Sequence, residues 1–158
     1  FGALLAKYAA KGATADDEPI KWKPKKAEKQ AWEDYRQRIA KLRIVDPACG
    51  SGVFLVMAFD YLKTELSRVN DKIAELSGTG QAGMLFDPDS EILTNNLFGV
   101  DVNEESVEIT KLSLWIKTAR HGKVLDSLND NFRVGDSLIE DSSFAYREHG
   151  FVWKEAFP

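Results

Sequence analysis

The chain has 158 residues, 44% of them hydrophobic and 29% charged, which suits one domain with a buried core and excludes a disordered tail or a fibrous repeat. Its single cysteine, Cys49, excludes an internal disulfide and a cysteine-built metal site. The net charge of −4 is unevenly distributed, because residues 1–45 carry +5 and residues 46–158 carry −9.

The amino-terminal part is basic and interrupted by proline, so we predict that residues 1–30 are loosely structured or helical. The chain starts without methionine, and we interpret it as a piece of a longer protein. From about Lys29, apolar residues recur at spacings of three and four, which predicts a helix with one buried face. The members of that face are Trp32, Tyr35, Ile39 and Leu42.

A short strand is predicted over residues 43–46, followed by the loop sequence Asp-Pro-Ala-Cys-Gly-Ser-Gly of residues 46–52. Residues 77–90 contain three glycines and a proline, which predicts a loop, with Asp89 or Ser90 capping a short helix after it. Between the two loops the spacing of apolar residues predicts a long helix. Its buried face consists of Leu55, Phe59, Leu62, Leu66 and Val69.

Two more strands are predicted, over residues 97–101 and 131–134. A helix between them begins at Asn103 or Glu104 and ends at about His121. Alternation of strands and helices is typical of α/β proteins with a parallel sheet and right-handed crossovers. This last helix runs through the apolar residues Val107, Leu112 and Trp115. The extra sequence over about 68–95 is predicted to be an inserted surface helix and loop.

Each predicted strand ends in an aspartate, namely Asp46, Asp101 and Asp136. The carboxyl ends of parallel strands share one edge of the sheet, where open α/β proteins bind ligands. Asp101 follows the second strand, a position from which a carboxylate can accept hydrogen bonds from two ribose hydroxyls. The alternative for Asp101 is a helix cap, but Asn103 already suits that role.

The glycine loop favours a ligand because glycine lets the backbone approach a bound group, and the following helix start offers free N–H groups. A tight turn alone is the alternative. The loop is not a phosphate-binding P-loop, since Val53 stands where that motif needs lysine. It also lacks the third glycine of the dinucleotide fingerprint.

Residues 46–55 resemble the first motif of S-adenosylmethionine-dependent DNA adenine-N6 methyltransferases, particularly the large single-chain enzymes of type IIG restriction–modification and related phage-defence systems. Residues 96–103 resemble their second motif and residues 133–138 their third. The resemblance implies a truncated Rossmann-like class I methyltransferase fold, α/β with a mostly parallel sheet and an amino-terminal helical segment. Within it, residues 31–158 are the S-adenosylmethionine-binding part.

The resemblance also implies the role of each site residue. Asp101 binds the ribose hydroxyls, Val102 packs on the adenine ring, Asp136 accepts from the adenine amine, and the backbone of Ser137 lies near the ring edge. The loop residues assigned to the methionine part are Asp46, Ala48 and Gly50, and Pro47 and Gly52 complete the set of cofactor-binding residues.

The family's catalytic loop, Asn/Asp-Pro-Pro followed by an aromatic residue, is not among these 158 residues. The resemblance implies a cytoplasmic parent protein that methylates adenine N6 in DNA. Because the catalytic loop is missing, we expect this stretch alone to be inactive and to hold no catalytic residue. We also expect no metal site and no membrane segment in it. His121 and His149 fit no metal or triad pattern and are expected on the surface, and Cys49 is expected to be a small apolar filler. The alternatives are a methyltransferase acting on RNA or protein, and a non-catalytic nucleotide-binding or interaction module.

Overall fold

The fold is that of a computed structural model, which describes residues 24–78, 88–119, 127–145 and 149–157. Three strands in these ranges form a parallel sheet in the order β1-β2-β3, which confirms the predicted Rossmann-like α/β class. In chain order the elements are helix α1 (Pro24–Ala40), strand β1 (Ile44–Asp46), helix α2 (Val53–Ser77), helix α3 (Pro88–Glu91) with a π-helical turn (Ile92–Asn96), strand β2 (Leu97–Asp101), helix α4 (Glu104–Thr118), strand β3 (Phe132–Val134) and helix α5 (Trp153–Ala156).

The two faces of the sheet pack against different parts of the chain. One face packs against the main hydrophobic core, and the other is covered by the carboxyl-terminal segment. Successive strand residues point to opposite faces, so Leu97 faces the helices α1, α2 and α4, whereas Phe98 points the other way. Phe98 contacts the ring of Phe157, with 5.2 Å between centroids, and the Arg43 guanidinium lies over the Phe98 ring, 4.4 Å from its centroid. All five residues predicted for the buried face of α2 are buried: Leu55, Phe59, Leu62, Leu66 and Val69.

Helix α1 packs along α2 through the predicted apolar face and through polar bonds at its margin. The Tyr35 hydroxyl donates to Glu65 at 2.8 Å, and Arg36 donates to Asn70 at 3.0 Å. The prediction for Leu42 is wrong, because α1 ends at Ala40 and the side chain of Leu42 is 46% exposed. Beyond the last helical turn, a spacing of three no longer keeps a residue on the buried face.

Some of the described residues within 68–95 contribute to the core, among them Val69 and Ala74. Helix α2 continues unbroken to Ser77, and Ile92 and Leu93 are fully buried. The prediction that Asp89 or Ser90 caps this helix is wrong, because α3 already begins at Pro88 and both residues lie inside it. Asp89 is buried and forms an ion pair with Lys63 at 2.9 Å. The division into 1–30, 31–158 and an inserted 68–95 stays a prediction, and residues 79–87 lie outside the described residues.

Helix α4 begins as predicted, with Asn103 as its cap accepting from the Ser106 N–H at 3.2 Å. It ends at Thr118, and His121 lies outside the described residues. Leu112 lies within the helix as predicted, and its side chain is 53% exposed. Five residues of helix turn it about 140° away from Val107, which does face the core. The buried positions are Val107, Thr110, Lys111, Leu114 and Thr118.

Candidate functional site

The loop between β1 and α2 folds back over the end of β2. The Cys49 N–H donates to the carbonyl of Val100 at 2.9 Å, and the Gly52 N–H donates to the carbonyl of Cys49 at 2.8 Å. Gly50 and Gly52 have φ angles of 53° and 79°, in the left-handed region that favours glycine. The two glycines therefore permit the tight turn from strand to helix that the sequence predicts.

Asp101 is the residue that joins this loop to the next βα unit. One carboxylate oxygen accepts from the Gly50 N–H at 2.9 Å, and the other accepts from the Asn103 N–H at 2.9 Å. The side chain is half-buried at the carboxyl end of β2. Because a carboxylate offers about four lone-pair sites, two backbone bonds leave acceptor capacity for a ligand.

The other two strand-end acids lie at the same edge of the sheet, as predicted. Asp46 pairs in register with Gly99, and Asp136 follows β3 by two residues. Asp46 accepts from the Ala48 N–H and Asp136 from the Leu138 N–H, each at 3.1 Å. These two bonds orient the carboxylates locally, while both residues stay half-buried.

The two loop glycines differ in what surrounds them. A Cβ added to Gly50 meets nothing within 4 Å, so its outer side is open space. A Cβ added to Gly52 comes within 2.8 Å of the Thr110 side chain. The close approach at Gly52 therefore comes from the chain itself, whereas the space at Gly50 is available to a ligand.

Thr110 is a site residue that the sequence reasoning missed. It is fully buried on α4, and its hydroxyl donates to the carbonyl of Gly50 at 2.8 Å. The available signal was a polar residue three positions after buried Val107, on the apolar face of the helix. Nothing in the local sequence indicates that its partner lies 60 residues earlier.

Cys49 is a buried part of the hydrophobic core, so the prediction of a small apolar filler is confirmed. Burial raises the pKa of its thiol from 9.0 to about 11, and the nearby carboxylates of Asp101 and Asp46 add to this shift. The group therefore remains a neutral thiol at physiological pH, a form that is a poor nucleophile.

The remaining predicted site residues lie around the same edge, and their cofactor contacts stay predictions. Pro47 and Ala48 are exposed, and Val102 and Ser137 are half-buried. The carbonyl of Ser137 accepts from the Trp153 indole N–H at 3.0 Å, which fixes the backbone after Asp136. His149, predicted at the surface, is exposed.

Two further features concern the described residues alone. Within the ranges 24–78, 88–119, 127–145 and 149–157, no three His, Cys, Asp or Glu side chains are grouped closely enough to hold a metal ion. Among the helices of those same ranges, none combines the length and the apolar character that a membrane crossing requires.

A parallel sheet whose strands end in acids, with a glycine loop between β1 and α2, is typical of Rossmann-like α/β domains. Residues 22–135 match the model of the family described as the DNA-methyltransferase domain of MmeI. The chain belongs to that family.

Two relatives agree with this assignment. A protein described as a type II restriction enzyme and methyltransferase of Methanocaldococcus jannaschii is 33% identical over 114 residues, which cover 66% of this chain and 9% of that protein. DNA methyltransferase A of Bacillus subtilis is 30% identical over 92 residues, which cover 54% of this chain and 10% of that protein. No solved structure matches the chain. The similarity thus spans about a tenth of each relative's length.

Proposed function

We propose that this chain is the S-adenosylmethionine-binding part of a site-specific DNA methyltransferase that methylates adenine N6, in restriction–modification or phage defence. The observation that carries the proposal is the carboxylate of Asp101, which is held between the Gly50 and Asn103 N–H groups at the ligand edge of the sheet. Family membership and the printed names of the two relatives support a DNA substrate. The resemblance of the three motifs supports the cofactor and the adenine specificity.

The residues present fit the cofactor. In the proposed complex the two ribose hydroxyls donate to Asp101, whose oxygens are already aimed by backbone N–H groups. The open side of Gly50 accommodates the methionine part without a Cβ in the way. When bound, the cofactor supplies a methyl group on a positively charged sulfonium, and the acids at this edge, Asp46 among them, complement that charge.

We further propose a division of tasks along the sheet. The ends of β1, β2 and β3 hold the methyl donor, and the rest of the whole protein holds the flipped adenine and accepts its amine protons. Positioning and electrostatics then supply most of the acceleration of such a transfer. The role of this chain is therefore binding and orientation.

Calorimetric titration of the chain with S-adenosylmethionine tests the cofactor assignment. We expect wild type to bind and Asp101→Asn to weaken binding by at least about tenfold, because hydrogen bonds to a charged group contribute about 1.5–3 kcal/mol. Asp130→Asn is the matched control, since Asp130 is exposed and paired with Arg133 at 3.4 Å. Equal affinities of wild type and Asp101→Asn would remove the ribose assignment.

The reaction is tested with the whole protein that contains this domain. The protein is incubated with labelled S-adenosylmethionine and, in parallel, with DNA, with RNA or with a protein extract. Nucleoside analysis of the DNA is expected to show N6-methyladenine. Methylated cytosine would contradict the adenine specificity, and label found only in RNA or protein would support the alternative substrate classes. Cofactor binding with no transfer to any of these would favour a non-catalytic module.

A further inference from the structure

We propose that Thr110 is a positioning residue that holds the glycine loop in the conformation that binds the cofactor. The inference rests on the proposed function in so far as it names the loop's ligand. Thr110 touches the loop at three points, one of them the Cys49 sulfur, which lies 3.8 Å from its hydroxyl oxygen. Its hydroxyl donates to the Gly50 carbonyl at 2.8 Å, and its side chain lies where a Cβ on Gly52 would come within 2.8 Å.

The direction of this hydrogen bond is unusual for a hydroxyl on a helix. The common arrangement is a bond to the carbonyl four residues earlier in the same helix. Thr64 donates to Asp60 in this way at 2.9 Å, and Thr118 donates to Leu114 at 3.3 Å. Thr110 instead reaches a different element, 60 residues away. Its buried hydroxyl therefore stabilises the loop rather than its own helix.

The N–H and the carbonyl of Gly50 both form hydrogen bonds to the unit made of β2 and α4. Its N–H donates to Asp101 at the end of β2, and its carbonyl accepts from Thr110 on α4. Gly50 has open space where a Cβ would lie, so no packing on that side restrains it. Losing the bond from Thr110 frees the peptide between Gly50 and Ser51, just before α2 begins at Val53, to rotate.

Three variants separate loop positioning from helix stability. Thr110→Val keeps the shape and removes the hydroxyl, while Thr110→Ser keeps the hydroxyl and removes the methyl. Thr118→Val is the matched control. Thr118 is also buried on α4, and its hydroxyl lies 3.3 Å from two carbonyls of its own helix, those of Leu114 and Trp115.

The first measurement is amide hydrogen exchange of residues 48–53 in the cofactor-free chain. Thr110→Val is expected to accelerate exchange in this segment at least about fivefold, the effect of one ordinary hydrogen bond. Thr110→Ser and Thr118→Val are expected to stay within about twofold of wild type. Unchanged exchange in Thr110→Val, or equal acceleration in Thr118→Val, would overturn the proposal.

The second measurement is affinity for S-adenosylmethionine, together with steady-state kinetics of the whole enzyme. Thr110→Val is expected to weaken binding about fivefold to tenfold and to raise KM for the cofactor with little change in kcat, and Thr110→Ser to restore both. A loss of kcat at constant KM would contradict a positioning role. If wild type does not bind the cofactor, the proposed function fails, whereas the exchange experiment still decides whether Thr110 holds the loop.

Discussion

The two ends of the parallel sheet both carry polar side chains, but the side chains differ in burial and in partners. At the amino end, Asn96 precedes β2 and Asn131 precedes β3, and both are buried. At the carboxyl end, Asp46, Asp101 and Asp136 are half-buried. The asparagines donate to backbone carbonyls of the core, whereas the aspartates accept from N–H groups of surface turns.

This difference separates stability from binding within one sheet. Asn131 alone donates to the carbonyls of Leu93, Thr94 and Leu97 at 2.9 to 3.2 Å, which joins the π-helical turn to β3. A buried donor with three acceptors has no capacity left for a ligand. The carboxylates have such capacity, so their substitution is expected to change binding more than folding.

The largest expected effect is at the amino end. Asn131→Asp replaces a buried amide donor by a carboxylate that faces three carbonyl oxygens, and we expect it to lower the free energy of unfolding by at least about 3 kcal/mol. Asn129→Asp is the matched control, because the Asn129 side chain is exposed and accepts from Lys111. Urea unfolding measures both, and similar values for the two variants would contradict the role of Asn131.

Two glycines test whether the loop is packed against α4 at Gly52 and open to solvent or ligand at Gly50. Gly52→Ala is expected to lower the free energy of unfolding by about 2 kcal/mol or more, because its Cβ would meet Thr110 and its φ is positive. Gly50→Ala is expected to lower the free energy of unfolding by about 1 kcal/mol, because alanine is strained at a positive φ but its Cβ would meet no other atom.

Gly78 provides the control for Gly50. It has a φ of 70°, it also has open space around its Cα, and it lies at the far end of α2. Thermal unfolding is expected to show similar losses for Gly50→Ala and Gly78→Ala, while only Gly50→Ala weakens affinity for S-adenosylmethionine. Unchanged affinity in Gly50→Ala would place the ligand away from the loop.

The smallest expected effect concerns the inner side of the loop. With a thiol pKa of about 11, Cys49 is ionised in about one molecule per thousand at pH 8, so alkylation by iodoacetamide is expected to be slow until the chain is unfolded in urea. The unfolded thiol ionises near 9.0, so above that pH wild type should lose stability relative to Cys49→Ala. Rapid alkylation of the folded chain at pH 8 would show that the Cys49 thiol is accessible to the reagent and is not buried under the loop.

The sequence predicts the elements well where the signal is local. The bounds of β2 at residues 97–101 and the buried face of α2 follow from apolar runs and periodicity, and the structure confirms both. The edge shared by the three acids follows from parallel topology. Local patterns could not show that Leu42 lies beyond the end of α1.

The contacts that organise the site were out of reach for a different reason. Thr110 and Gly50 are 60 residues apart, and Asn131 bonds carbonyls 34 to 38 residues earlier. Such pairings depend on how the helices pack on the sheet, which residue spacing does not encode. The cofactor roles assigned to the carboxyl edge remain predictions, because they rest on resemblance.

The central claim is that the carboxyl edge of this sheet, and not its amino end, binds S-adenosylmethionine. Backbone amide chemical shifts recorded by NMR during titration of the chain with the cofactor test it directly. We predict shifts concentrated in residues 46–52, 101–103 and 135–137, with the amides of Asn96 and Asn131 unaffected. Saturable shifts confined to the amino end, or no shift at any residue at millimolar cofactor, would contradict the account.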